Sequence, residues 1–260
     1  MDLGLNGRTA LVTGGSKGIG AAIALRLAEA GCNLHLSARS AAELDKARSA
    51  IKARHNVSVE IHALDLLKSK DVEELARRCE GVDILYNNAG ATPTGPIEEA
   101  TEAKWREGLE LKVLATVLLT RALYLAMAKR GRGVIVNVIG NCGERPDPDI
   151  IVATVTNTGL MGFTKALGSV SPRKGVRVVG VNPGPTSTER LVMLMKKKAK
   201  DRTGDESRWA DLAKPLPMGR PATPEEVADL CVFAASDRAS YISGVVLTVD
   251  GGVGAMGNLF

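Results

Sequence analysis

Residues Thr9–Gly31 read TALVTGGSKGIGAAIALRLAEAG, and the order of residue types in this stretch decides the fold. TALV (Thr9–Val12) is short, apolar and β-branched, which predicts a strand. From GIGAAIALRLAEAG onward the period changes. Ile19, Ile23 and Leu27 share one helical face, Arg26 and Glu29 point outward, and Gly31 stops the helix. Between strand and helix lies TGGSKGIG (Thr13–Gly20). Glycines there let the backbone approach a pyrophosphate, and the first helical turn offers it unpaired N–H groups and the positive end of the helix dipole. A glycine pattern alone would equally suit a tight turn with no ligand. Placed at the start of a βαβ unit, it predicts a dinucleotide cradle built from Gly14, Ser16, Lys17, Gly18, Ile19 and Gly20.

The same alternation runs outward to both ends. Asn33–Ser37, Val57–Leu64, Val82–Tyr86, Gly133–Val138, Val176–Val181 and Val245–Val249 read as further strands, flanked by Gly, Asn or Asp and separated by helical patterns. Strands alternating with helices of this length pair in parallel through right-handed crossovers, giving an α/β, doubly wound sheet. No linker or composition break divides the chain, so a single domain over residues 1–260 is expected. The polar stretch at about 186–214 reads as a substrate loop and helix inserted into it. Its Leu191, Leu194 and Met195 are placed to line a pocket. Lys196, Lys197, Lys198 and Lys200 fit either a solvated helix face or a clamp for an anionic substrate tail.

Bulk properties narrow the function classes. The formal charge is +5 and aromatics make up only 3%, so neither a basic arm nor stacking platforms for nucleic acid are present. Cys32, Cys79, Cys142 and Cys231 are scattered, with no CxxC and no His at ligand spacing. Reduced thiols in a cytoplasmic protein without a metal site are therefore expected. MDLGLNGRTALVTGG is not a secretory signal, and apolar runs such as LKVLATVLLT are too short or too interrupted to cross a bilayer, which predicts a soluble protein off the membrane.

The end of the second strand should meet the adenosine ribose, where a carboxylate commonly marks an NAD site. Here LSARS puts Ala38 and Arg39 at that point, with Lys17 inside the glycine loop. Two cations and no acid favour the 2′-phosphate of NADP(H), with NAD(H) possible if Arg39 is only a surface residue. Asp65 in ALDLL is placed to accept from the adenine amino group or to cap a helix.

With TGGSKGIG joined to NNAG (Asn87–Gly90), IVNV (Ile135–Val138), GVRVVGVNPGPTST (Gly175–Thr188), PLPMGRPATPEEVA (Pro215–Ala228) and SYISGVVLTVDGG (Ser240–Gly251), the chain resembles the short-chain dehydrogenase/reductase family nearly from end to end. The resemblance implies a Rossmann-type domain with a seven-stranded parallel sheet, a nicotinamide dinucleotide, and a homodimer or homotetramer. It places Asn88, Ala89 and Gly90 along the cofactor ribose, and Pro183, Gly184, Thr186 and Thr188 beside the nicotinamide.

The family's acid–base set is a Tyr, a Lys four residues later, a Ser and a relay Asn. Laid on that pattern, this sequence has Ala153, Asn157, Gly140 and Lys112 at the four positions. The segment Ile150–Leu160, IIVATVTNTGL, contains no side chain that exchanges a proton near neutral pH. Only Tyr86, Tyr124 and Tyr241 exist to replace the tyrosine, and His35, His55 and His62 all precede the fourth strand. Tyr86 is expected to be a half-buried core residue. The candidate substitutes are Lys112, as an ammonium of depressed pKa, Asn141, as a donor to a carbonyl oxygen, and Glu144 or Asp147, as an acid raised by burial. Cys142 fits a small buried thiol better than a nucleophile. Two functions remain open: an NADP(H)-dependent oxidoreductase with an atypical active site, and a catalytically silent NADP(H)-binding sensor, scaffold or partner subunit.

Overall fold

A computed structural model describes residues 2–256. Seven strands form one parallel sheet: β1 (Thr9–Thr13), β2 (Asn33–Ala38), β3 (Val59–Ala63), β4 (Ile84–Asn87), β5 (Gly133–Val138), β6 (Val176–Pro183) and β7 (Val246–Val249), in the order β3-β2-β1-β4-β5-β6-β7. The order reverses between β1 and β4, so their C-terminal ends open the crevice where doubly wound sheets take ligands. All seven expected strands are present. β3 is the one most shortened, because Val57 and Ser58 lie before the ladder.

Both faces of the sheet are covered, and strand alternation sorts the side chains between them. Ala10, Val12, Ile84, Tyr86, Val134 and Val136 pack beneath α1 (Gly18–Glu29), α2 (Ala41–Lys52) and α8 (Pro224–Ala235). Their neighbours Leu11, Leu85 and Ile135 face the other way, onto α3 (Ser69–Arg78) and the long helix ending in α5 (Ala115–Arg130). Within the first helix, Ile23 and Leu27 are fully buried as expected, while Ile19 is half-buried at the crevice. Tyr86 is fully rather than half-buried, and its hydroxyl donates to the Cys231 carbonyl at 3.3 Å. Asn87 donates to Thr120 Oγ1 and Asn137 Oδ1, and Asn137 donates to Thr164 Oγ1, at 2.8–2.9 Å. This buried ladder pins α5 and α6 (Ile151–Val170) to the C-terminal ends of β4 and β5.

Three expectations are corrected. The run LKVLATVLLT is not a short segment. It belongs to a continuous helix, Glu102–Arg130, of 29 residues, long and apolar enough to span a bilayer by length and composition. Leu119, Leu123 and Met127 turn its inner face into the sheet core, while Leu114, Leu118 and Leu125 are exposed. Asp65 is not a helix cap, because α3 is capped at Lys68, and its Oδ1 accepts instead from the Leu67 N–H at 3.2 Å. Cys79 does have histidines beside it: its Sγ is 3.6 Å from His35 Nδ1 and 3.7 Å from His62 Nε2. Spacing along the chain misses this contact because sheet register makes it.

Candidate active site

The glycine loop closes onto the NNAG turn through one buried hydroxyl. Thr13 Oγ1 accepts from the N–H groups of Asn88 and Ala89 at 2.9 and 3.0 Å, and donates to the Tyr86 carbonyl at 3.2 Å. The Asn88 amide returns the contact by donating to the Thr13 carbonyl at 3.0 Å. Gly14 (φ +65°) and Gly18 (φ +53°) adopt left-handed conformations. A Cβ on Gly20 would lie 2.2 Å from the Gly14 carbonyl oxygen and 2.6 Å from Asn88 Nδ2, so only glycine fits. Lys17 precedes α1 without giving it a side-chain cap, which leaves the first-turn N–H groups of Gly18, Ile19 and Gly20 for an external acceptor.

The two predicted phosphate cations are in unlike states. Arg39 stands exposed beyond the end of β2 and forms no ion pair among the described residues. Lys17 Nζ is 3.5 Å from Glu43 Oε2 and 3.9 Å from Glu189 Oε2, long contacts on an exposed side chain. Asp65 is half-buried just beyond β3, at the same end of the sheet.

Beyond the NNAG turn lies a cleft of about 320 Å³, lined by Ile19, Asn88, Lys112, Val138, Ile139, Gly140, the Pro183–Thr186 turn, Thr188, Arg190, Leu191 and Leu194. The expected pocket residues Leu191 and Leu194 are here, whereas Met195 is not. The inserted stretch forms α7 (Glu189–Thr203), with Lys196, Lys197, Lys198 and Lys200 exposed. Thr188 Oγ1 caps this helix at Leu191 N–H, and Thr186 Oγ1 donates to the Gly184 carbonyl at 2.9 Å.

Lys112 is the only ionisable side chain in the cleft wall that is buried among the described residues, at 5% exposure. It sits in a π-helical turn, Leu109–Leu114, which joins α4 (Glu102–Gly108) to α5. Such turns are rare and recur at functional sites. Its stem packs on Gly90, where an added Cβ would fall 2.5 Å from Lys112 Cδ. Nζ donates to the carbonyls of Val138 and Ile139 at 2.9 and 3.0 Å. An ammonium has three N–H groups, so one remains. Burial, opposed by the Cys142 thiol and aided by the Arg190 charge, pushes the amine down from 10.5 to about 8.

The other proposed donors lie outside this cleft. Glu144 is exposed, and its Oε2 accepts from Thr248 Oγ1 at 2.9 Å and Asn182 Nδ2 at 3.3 Å. Asn141 Nδ2 contacts Asp250 Oδ2 at 3.4 Å. Asp147 is exposed. Cys142 is a half-buried thiol that accepts from Asn157 Nδ2 at 2.9 Å, and burial raises its pKa. Gly140 and Asn157 meet directly, since a Cβ on Gly140 would lie 2.7 Å from Asn157 Nδ2. Ala153 is buried one turn earlier on α6, and Tyr241 is fully exposed. Neither the π turn nor the place of Arg190 at the cleft is visible in the sequence. Nothing in the periodicity of LELKVLATVLLT marks the change of helical pitch.

Known proteins share this fold. Residues 8–199 match the family described as short chain dehydrogenase. The 3-oxoacyl-(acyl-carrier-protein) reductase FabG of Aquifex aeolicus is 32% identical, covering 97% of this chain and 100% of its own. Among solved structures, L-sorbose reductase from Gluconobacter frateurii complexed with NADPH and L-sorbose is 35% identical, with a TM-score of 0.93 over 98% of this chain and 100% of that one. An actinorhodin polyketide ketoreductase with NADPH is 28% identical, with a TM-score of 0.90 over 96% and 98% of the two chains.

Proposed function

The chain belongs to the short-chain dehydrogenases, and on that premise we propose that it is an NADP(H)-dependent oxidoreductase of atypical active site, in which Lys112 serves as proton donor. The cradle supports the cofactor. Gly14 and Gly20 pack against Asn88 too closely for a Cβ, which holds the loop on the NNAG turn, and α1 begins without a side-chain cap. Unpaired Arg39 beyond β2 and the NADPH-bound relatives support the phosphorylated dinucleotide. Gly18, Ile19 and Gly20 would hold the phosphates, Arg39 the 2′-phosphate, and Asn88 to Gly90 with Pro183 to Thr188 the ribose and nicotinamide. Asp65 would face the adenine.

A bound nicotinamide dinucleotide supplies hydride for reduction and receives it in oxidation. Lys112 does the proton work. In reduction, the Lys112 ammonium would give a proton to the substrate's carbonyl oxygen and regain one from water. In oxidation, the neutral amine accepts the hydroxyl proton. Gly140, Ala153 and Asn157 would stand where relatives keep their Ser, Tyr and Lys, which leaves Lys112 to fill the role.

The observation that carries this reading is the placement of Lys112, a buried ammonium in the cleft with one N–H unspent. The test is turnover of sugar ketones and 3-oxoacyl thioesters with NADPH, before and after Lys112→Met. A loss of about 100-fold or more in kcat at unchanged NADPH affinity is expected, and a variant within twofold of wild type would overturn the assignment. A second reading, a silent NADP(H)-binding sensor, scaffold or subunit, draws on the two backbone bonds that already give Lys112 a structural use. NADPH binding without turnover on either panel would select it.

Exposed Leu114, Leu118 and Leu125 on Glu102–Arg130, with Val155 and Val170 on α6, support a homodimer or homotetramer. Four free thiols support a reducing, cytoplasmic setting.

A further inference from the structure

We propose that His35, His62 and Cys79, with Glu60 closing the open side, form a binding site for one zinc ion at the outer edge of the sheet. The β2–β3 register pairs His35 with Glu60 and Ser37 with His62. These four side chains therefore share one face, opposite Leu34, Leu36, Val59 and Ile61, which belong to the core under α1 and α2. Cys79, the cap residue of α3, brings its thiol onto the same face. The three ligand atoms all lie within 4.8 Å of one another.

The spacing suits the ion. Zinc bonds of about 2.0–2.1 Å to nitrogen and 2.3 Å to sulfur, at tetrahedral angles, put N···N at about 3.3 Å and N···S at about 3.6 Å. Here Cys79 Sγ is 3.6 and 3.7 Å from the two ring nitrogens, which are 2.9 Å from each other. The rings lie 2° from parallel with centroids 5.2 Å apart, so they meet end to end through one shared N–H···N bond. An ion taking the place of that proton would require the two rings to turn about their side-chain torsions until both lone pairs converge on it. Glu60 Oε2 is 3.7 Å from His35 Nδ1, on an exposed side chain free to become the fourth ligand.

Packing alone does not explain the cluster. His62 Nδ1 and Ser37 Oγ are buried on this face with no partner among the described residues. A core built for stability would leave such atoms out. His35 is 15% exposed at its side chain, giving an entry path past Glu60. Binding releases one proton, from the Cys79 thiol, and the dipositive ion is then balanced by thiolate and carboxylate.

The site stands on its own geometry and does not depend on the proposed activity. Full-length protein stripped with a chelator is titrated with Zn²⁺ by calorimetry and with Co²⁺ by absorbance. One equivalent per chain is expected, with a thiolate-to-cobalt charge-transfer band and the strong visible bands of a tetrahedral site. His62→Gln and Cys79→Ser should each weaken binding by about 100-fold and, for Cys79→Ser, remove the charge-transfer band. Cys142→Ser should leave both intact. No saturable site in the wild-type protein, a cobalt spectrum without the thiolate band, or a band that survives Cys79→Ser would overturn the proposal.

Discussion

Replacing Lys112 by Met should make the protein's stability depend on pH in a way that isolates the buried amine. In the unfolded chain this lysine holds its proton to about its ordinary 10.5, and in the folded protein to about 8. Between those values the unfolded state binds more protons, so wild-type stability rises with pH across the window. The penalty for burying the charge is present in full below pH 8 and is relieved on going to pH 10.5. At about 1.4 kcal/mol per pH unit, the relief totals about 3 kcal/mol. Met has a similar length and no charge, so Lys112→Met lacks this term. The stability of the variant minus that of wild type should therefore fall by about 2–3 kcal/mol between pH 7 and pH 10. Other groups that titrate in this range are common to both proteins and cancel in the difference. Urea unfolding at both pH values measures it, at one protein concentration because self-association moves apparent stability. A difference constant to within about 0.5 kcal/mol would show that Lys112 titrates like an exposed lysine. The proton-donor assignment would then lose its physical basis.

The same amine sets a kinetic signature: ketone reduction should decline as pH rises through about 8, and alcohol oxidation should rise over the same range, read from kcat profiles. Arg39→Ala should weaken NADPH by about tenfold or more while leaving NADH nearly unchanged, by fluorescence titration, since a lost charge-assisted contact is worth about 1.5–3 kcal/mol. Equal losses for both would remove the case for the 2′-phosphate. Gly90→Ala should push the Lys112 stem aside, because the added Cβ meets Cδ at 2.5 Å, and lower kcat more than NADPH affinity. Leu118→Glu, on the exposed apolar face, should shift the protein to a smaller species in sedimentation.

Legibility in the sequence followed how local each feature is. The glycine loop, the seven strands and the first helix depend on contiguous residues, and all are present in the fold, with the third strand shortened to Val59–Ala63. Lys112 was identifiable by resemblance, but its inward aim comes from a π turn in a run too uniformly apolar to show a phase. Asn141 and Glu144 follow Gly140 in one loop and read as cleft residues. Gly140 at φ +135° and the 3-10 turn Asn141–Gly143 instead carry Glu144 to Asn182 and Thr248. His35, His62 and Cys79 meet only through strand register and a helix end, separations of 44 and 17 residues from the thiol that no motif spacing encodes.

Three cations were assigned to this site from sequence, and their surroundings sort them by task. A phosphate-binding cation works in contact with water and only has to be unpaired; Arg39 is exposed and forms no ion pair among the described residues. Lys17, exposed between Glu43 and Glu189, is held only by long surface contacts that an incoming phosphate could displace. A proton donor needs the opposite of an exposed, strongly basic amine, because a group that holds its proton to 10.5 gives it up slowly near neutrality. Burial of Lys112 against two carbonyls meets that need: the bonds keep the ammonium tolerable, and the missing solvent brings its proton within reach of physiological pH. On the proposed reading, the proton that Ala153 and Asn157 on α6 cannot supply would come from the facing helix, with the cofactor cradle unmoved.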